Sequence, residues 1–136
     1  MLAVNLRAVI AATDAAARHM RNGGRVISIG SNLAERVTRP GLSVYAATKS
    51  ALLAFTRGMA RDLGPRQITA VVVHPGSTDT DMNPAAGPRA AQQITLSAVA
   101  HYGEVADIAA TVVHLAGDGG RHISGTAITV DGGQNA

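Results

Sequence analysis

The sequence predicts an α/β fold built on a short parallel sheet. Helix-like and strand-like segments alternate along the 136 residues in the order helix, strand, helix, strand, helix, strand. The strand-like runs are short, β-branched and apolar throughout, as in strands buried on both faces. Right-handed crossovers are the expected connections of such a sheet. Three strands are few beside the roughly six of an ordinary doubly wound domain. The expectation is therefore one incomplete domain over residues 1–136, cut before its first helix.

The first helix is expected over 3–21, where Leu6, Val9, Ile10, Thr13, Ala17 and Met20 fall at helical spacing. Asn22-Gly23-Gly24 stops it, because glycine accepts the left-handed conformation that a helix end needs. RVISIGS at 25–31 suits a buried parallel strand. A loop with Pro40 and Gly41 leads to a long helix over 45–64, with Ala46, Leu52, Leu53, Phe55, Met59 and Leu63 as its apolar surface. Gly64-Pro65 ends that helix. ITAVVVH at 68–74 is the second strand. A Pro/Gly/Asp-rich loop over 75–88 runs into a polar segment reaching about residue 103. The third helix is expected over 104–117 and the third strand over 126–130.

Composition narrows the function classes. Hydrophobic residues make up 46% and charged residues 15%, which excludes a disordered chain. The net charge of +3 suggests nucleic acid until the arginines are located. They are scattered, and there are almost no aromatics to stack on bases, so nucleic-acid binding is disfavoured. No apolar run reaches the ~18 residues of a membrane span, so no membrane partner is expected. The Ala- and Arg-rich first twenty residues have a transit-peptide composition, but their spacing reads better as an amphipathic core helix. There is no cysteine, which rules out disulfides and thiolate metal sites and leaves the compartment unconstrained.

Among twelve Lys/Arg residues only one is lysine, Lys49, and it stands four residues after Tyr45. On a helix these positions share a face. A phenol with a pKa of ~10 is a poor acid or base near neutrality, and a nearby cation stabilises its charged form. Lysine's compact ammonium can bridge two or three acceptors at once from a single point, whereas arginine's donors are fixed in a planar fork. The pair can thus form a general acid/base site. A solvated lysine beside a packed tyrosine would give the same letters. Ser31, at the carboxyl end of the first strand, lies where α/β sheets bind ligands, and could hold a substrate oxygen or merely cap its loop. The loop after the second strand brings Pro75, Gly76, Thr78 and Thr80 to the same edge. Gly76 allows close backbone approach to a ligand, and the threonines offer hydroxyls; an ordinary turn-rich loop is the alternative. Asp79 and Asp81 read as capping groups rather than a metal pair. The five histidines form no zinc-ligand pattern.

Taken in order, VNL with Asn5, GRVISIGS with Ser31, YAATK, HPGSTDTDM and SGTAITVDGG resemble the motifs of the classical short-chain dehydrogenases/reductases, nearest to the 3-oxoacyl-(acyl-carrier-protein) reductase-like branch. The resemblance covers essentially the whole chain. It implies part of a Rossmann-like doubly wound sheet and NAD(P)-dependent hydride transfer between a nicotinamide cofactor, NADP or NAD, and a small carbonyl or alcohol substrate. Tyr45 would then protonate the carbonyl oxygen. Lys49 would stabilise the tyrosinate and bind the nicotinamide ribose. Ser31 would orient the carbonyl, and Asn5 would hold a water that relays protons to Lys49. Pro75, Gly76, Thr78 and Thr80 match the loop that holds the nicotinamide amide and phosphate. The Ser31–Tyr45 spacing is one residue longer than in many relatives, with the insertion expected within 32–44.

The family's Gly-rich TGxxxGxG turn and its N-A-G motif are absent from these residues, and with them the usual pyrophosphate cradle. The resemblance is therefore to a C-terminal half, lacking the N-terminal dinucleotide-binding half. It implies three contiguous strands, with the first an open edge prone to association. It implies too that helices 3–21 and 45–63 pack between subunits of a homo-oligomer, that 83–103 forms a substrate lid, and that the protein is bacterial and cytoplasmic. DTDMNPAAGP also resembles family members that bind cyclic-di-GMP. A non-catalytic module that binds such a nucleotide, or a partner subunit of the same family, is the alternative.

Overall fold

The computed structural model describes residues 1–136. The chain opens with a wide π-helical turn, Ala3–Arg7, that runs straight into α1 (Ala8–His19). Met20 then turns extended and Gly23 takes φ 81°, so the Asn-Gly-Gly sequence ends the helix as its chemistry requires. β1 (Arg25–Ile29) follows, then a short 3₁₀ turn at Asn32–Ala34 within the stretch expected to hold an insertion. α2 (Ser43–Leu63) begins two residues earlier than expected and closes in a 3₁₀ turn, Gly64–Arg66. β2 (Thr69–Pro75), a short α3 (Ala90–Ile94), α4 (Val105–Ala116) and β3 (Thr126–Val130) complete the order.

The three strands form one parallel sheet in the order β1-β2-β3. Arg25 aligns with Thr69 and Ile29 with Val73; Val71 aligns with Thr126 and Pro75 with Val130. β2 is central and its residues Thr69 to His74 are all buried, which explains its unbroken apolar run. Alternation along β2 separates two faces. Val71 and Val73 pack with Leu115, Ile108 and Val112 of α4, and with Ile27 and Ile128 of the flanking strands. Ala70, Val72 and His74 point the other way, to the side where Val26 meets Met59 and Leu63 of α2 and Ala17 of α1.

This arrangement corrects the expected handedness. β1 to β2 and β2 to β3 step across the sheet in the same direction, but α2 and α4 lie on opposite faces. Two parallel crossovers of that kind cannot share one hand, so one of them departs from the right-handed rule. The departure is possible because β2 is apolar on both faces and accepts a helix on either.

The layers are unequally filled. Within α1 only Ala17 is fully buried, and Ile10 of its expected core face is exposed. No helix is long and apolar enough to cross a membrane. The 131–135 segment does not trail away. It folds back, with Gln134 buried, against the loop after β1.

Candidate active site

The carboxyl end of the sheet gathers most of the candidate residues. Tyr45 and Lys49 sit in the first two turns of α2, on one face. The Lys49 ammonium lies 5.8 Å from the centroid of the Tyr45 ring, within cation–π range. It also donates to the Ile29 carbonyl at 3.0 Å, fastening α2 to the last residue of β1. One of its three N–H groups is thereby used and two remain. Burial pushes the Lys49 pKa below the ordinary lysine value, because desolvation penalises the charged form. The lysine is therefore not a freely solvated one.

Asn5 lies in the π turn and reaches the same region. Its side-chain Nδ2 donates to Thr48 Oγ1 at 3.4 Å, and Thr48 Oγ1 donates to the Tyr45 carbonyl at 2.7 Å. Thr48 is almost wholly buried, so this chain of bonds ties the opening turn to the start of α2. A π turn leaves part of the helix ladder irregular, a feature that recurs at functional sites. Hydrophobic spacing does not distinguish it from an α turn.

Ser31 is buried and extended, with φ −166° and ψ 146°. Its hydroxyl accepts from the Leu33 N–H at 3.2 Å, so it caps the 3₁₀ turn. The hydroxyl hydrogen is left to donate. Both readings of this serine are thus compatible. The backbone N–H of Ser31 donates to His74 Nδ1 at 3.0 Å. The zinc-ligand patterns that the histidines lack say nothing of this contact. The available signal was a lone imidazole at the end of a valine run in a buried strand. Burial lowers its pKa; Glu35 raises it and Lys49 lowers it further.

The loop leaving β2 packs in part against the chain's own last residues. Gly76 donates to the Val130 carbonyl, and a Cβ there would lie 2.5 Å from Asp131 Cβ. Within this chain its smallness admits the 131–134 segment. Gln134 Oε1 accepts from Asn32 Nδ2 at 2.9 Å and from the Ser77 N–H at 3.3 Å, bracing the Ser31 loop against this one. Thr78 Oγ1 donates to the Gly76 carbonyl at 3.2 Å, leaving its lone pairs open. Thr80 is exposed and accepts from the Asn83 N–H at 3.3 Å. Asp79 accepts from the Ala85 N–H, a capping role in the loop. A cavity of about 440 Å³ opens nearby, lined in part by Ser77, Val99, His101, Asp107 and Asp131; neither Tyr45, Lys49 nor Ser31 lines it.

Residues 1–135 match a family model described as enoyl-(acyl carrier protein) reductase. The chain is 43% identical to the cyclic-di-GMP-binding biofilm dispersal mediator protein of Escherichia coli K12, over 95% of this chain and 54% of that protein. A short chain dehydrogenase from Burkholderia cenocepacia J2315, solved in complex with NADP, is 57% identical with a TM-score of 0.97, over 99% of this chain and 55% of that one. A blue fluorescent protein from a metagenomic library, solved in complex with NADPH, is 56% identical with a TM-score of 0.96, over 98% of this chain and 54% of its own. The chain thus spans about half the length of the relatives it matches.

Proposed function

Because the chain belongs to the short-chain dehydrogenase/reductase family, we propose that it carries the proton-transfer half of an NAD(P)-dependent oxidoreductase acting on a carbonyl or alcohol. The observation that supports this most directly is the half-buried Lys49 ammonium, held 5.8 Å from the Tyr45 ring and bonded to the strand end that leads into Ser31. Tyr45 gives its proton to the carbonyl oxygen during reduction. Lys49 stabilises the resulting tyrosinate through space. The Ser31 hydroxyl donates to the same oxygen and orients it. Asn5, with its side-chain oxygen unspent, holds a water that returns a proton toward Lys49.

The nicotinamide cofactor, when bound, supplies the hydride. The two unspent N–H groups of Lys49 suit its ribose hydroxyls, and the free lone pairs of Thr78 suit its carboxamide. Pro75, Gly76 and Thr80 complete that edge. These groups fit the nicotinamide end; the pyrophosphate end needs a Gly-rich turn that residues 1–136 do not contain. The complexes of similar proteins with NADP and NADPH support a phosphorylated cofactor. We place 83–103 as the substrate lid, and the outer faces of α1 and α2 as contacts of a homo-oligomer.

Calorimetric titration of NADPH and NADH into the 136-residue chain tests the assignment. Saturable binding that Lys49→Ala weakens about tenfold or more, as loss of charge-assisted hydrogen bonds should, supports it. A folded chain that binds neither nucleotide removes the cofactor role from this polypeptide. The similarity to the dispersal mediator favours one second reading, a site for cyclic-di-GMP. Titration of that dinucleotide in the same cell separates the two.

A further inference from the structure

We propose that His74 is a positioning residue, holding Ser31 in place by accepting its backbone N–H on a neutral imbedded imidazole protonated at Nε2. The ring is wholly buried, and Nδ1 takes the Ser31 N–H at 3.0 Å. An acceptor at Nδ1 places the ring proton on Nε2. The ring also presses on the backbone one residue earlier. A Cβ at Gly30 would lie 2.1 Å from Nδ1, so only glycine fits there. Ser31 is then held from two sides, its N–H by His74 and its hydroxyl by the Leu33 N–H.

The position argues against a packing role. His74 continues a strand of buried valines, and a fourth apolar side chain would satisfy the sheet. Instead the strand buries an imidazole whose Nε2 has no hydrogen-bond partner. A buried polar atom left unpaired is unfavourable, and such departures from local rules gather at functional sites. The one hydrogen-bond partner of the His74 ring is the Ser31 backbone N–H.

Protonation would undo the arrangement. A charged imidazole presents N–H at both nitrogens, so Nδ1 would face the Ser31 N–H with a second donor. Two charged groups bear on the ring: Glu35, which follows the 3₁₀ turn, favours the charged form, and Lys49 of α2 opposes it. Thr129, aligned with His74 on β3, is neutral and turns its hydroxyl to Glu35. The consequence for catalysis rests on the oxidoreductase reading; the hydrogen bond itself does not.

Nitrogen NMR on the labelled 136-residue chain decides the matter without any cofactor. The expected result is a neutral His74 with its proton on Nε2, and a coupling across the hydrogen bond between the Ser31 amide and Nδ1. A ring protonated at Nδ1 at neutral pH, or no coupling, overturns the proposal. His74→Asn places a carbonyl oxygen near the Nδ1 position and should keep the Ser31 amide protected from exchange. His74→Leu should lower that protection about fivefold, the share of one net hydrogen bond. The Val72 amide reports whether either variant still folds. If carbonyl turnover is found, His74→Leu should reduce kcat with NADPH affinity unchanged, and His74→Asn should restore it. Equal turnover in all three proteins would leave His74 a structural residue and refute the positioning role.

Discussion

Thr48 joins two candidate residues, Asn5 and Tyr45. Its hydroxyl donates to the Tyr45 carbonyl and accepts from Asn5 Nδ2, and it is almost wholly buried. Thr48→Val keeps the shape and removes both bonds, so it should cost about 1–2 kcal/mol in urea denaturation. It should also release Asn5, seen as a shifted Asn5 side-chain amide in NMR spectra. Full stability with an unmoved amide would mean that Asn5 is held by its own turn. The pH response belongs to His74. Its folded pKa lies below the unfolded value near 6.5, so the unfolded chain binds more protons once the pH drops under that value. Stability is then unaffected by His74 above about pH 7 and is lost as pH falls from about 6.5 through the folded pKa. Denaturation midpoints between about pH 7.5 and 5 should fall, and fall less in His74→Asn. Lys49 has the same sign in an alkaline window, stability rising with pH between its lowered pKa and 10.5. Tyr45, Lys49 and Ser31 could be singled out in the sequence by the lone lysine one helical turn from a tyrosine and by a serine at a strand's carboxyl end. The roles proposed for them came from the family resemblance. His74 could not be singled out, because its role is set by the strand pairing that brings Ser31 across from it.

Arg66 decides how well α1 is anchored. The helix buries little, so its end depends on capping. Arg66 Nη1 donates to the Ala17 carbonyl at 2.7 Å and Nη2 to the Met20 carbonyl. A cation here satisfies carbonyls that the helix leaves open and complements its negative end. Arg66→Met should cost about 1–2 kcal/mol and fray the last turn, so the Met20 amide should exchange faster while the Val72 amide does not. Unaltered exchange at Met20 would show that Ala17 and the Asn-Gly-Gly stop suffice. At this scale the sequence was largely readable. Every helix and strand expected from periodicity exists, with ends displaced by about two residues, and β3 falls at Thr126–Val130 as expected. What periodicity hid has physical reasons. The π turn differs from an α turn only in its bonding register. α3 is five residues long inside a polar stretch, too short to show a face. The unequal hand of the crossovers was hidden because β2 is apolar on both sides. The inward fold of 131–135 was hidden because it uses amide side chains, which carry no periodic signal.

The molecule as a whole exposes more surface than its mass warrants. A folded chain of 13.8 kDa should expose about 6,600 Å², by the usual scaling of area with mass. This one exposes 7976 Å², with several large apolar side chains among the exposed residues. One region is the outer side of α1 and its opening turn, where Leu2, Val4 and Ile10 face solvent. The other is β1, paired only with β2, so its far edge carries unpaired backbone groups beside the half-exposed Ile29. A helix face offers only side chains to a partner. A free edge offers hydrogen bonds as well, and although Lys49 takes the Ile29 carbonyl and Arg25 stands at its start, β1 itself contains neither Pro nor Lys. The 136-residue chain should therefore self-associate chiefly through β1. Sedimentation velocity should give a coefficient that rises with concentration. Ile29→Lys, which sets a charge on the edge while leaving the Ile29 carbonyl for Lys49, should suppress that rise more than Val4→Lys does. A coefficient independent of concentration would sink the prediction. Suppression by Val4→Lys alone would move the contact to the α1 face, and the edge would then need no cover of its own.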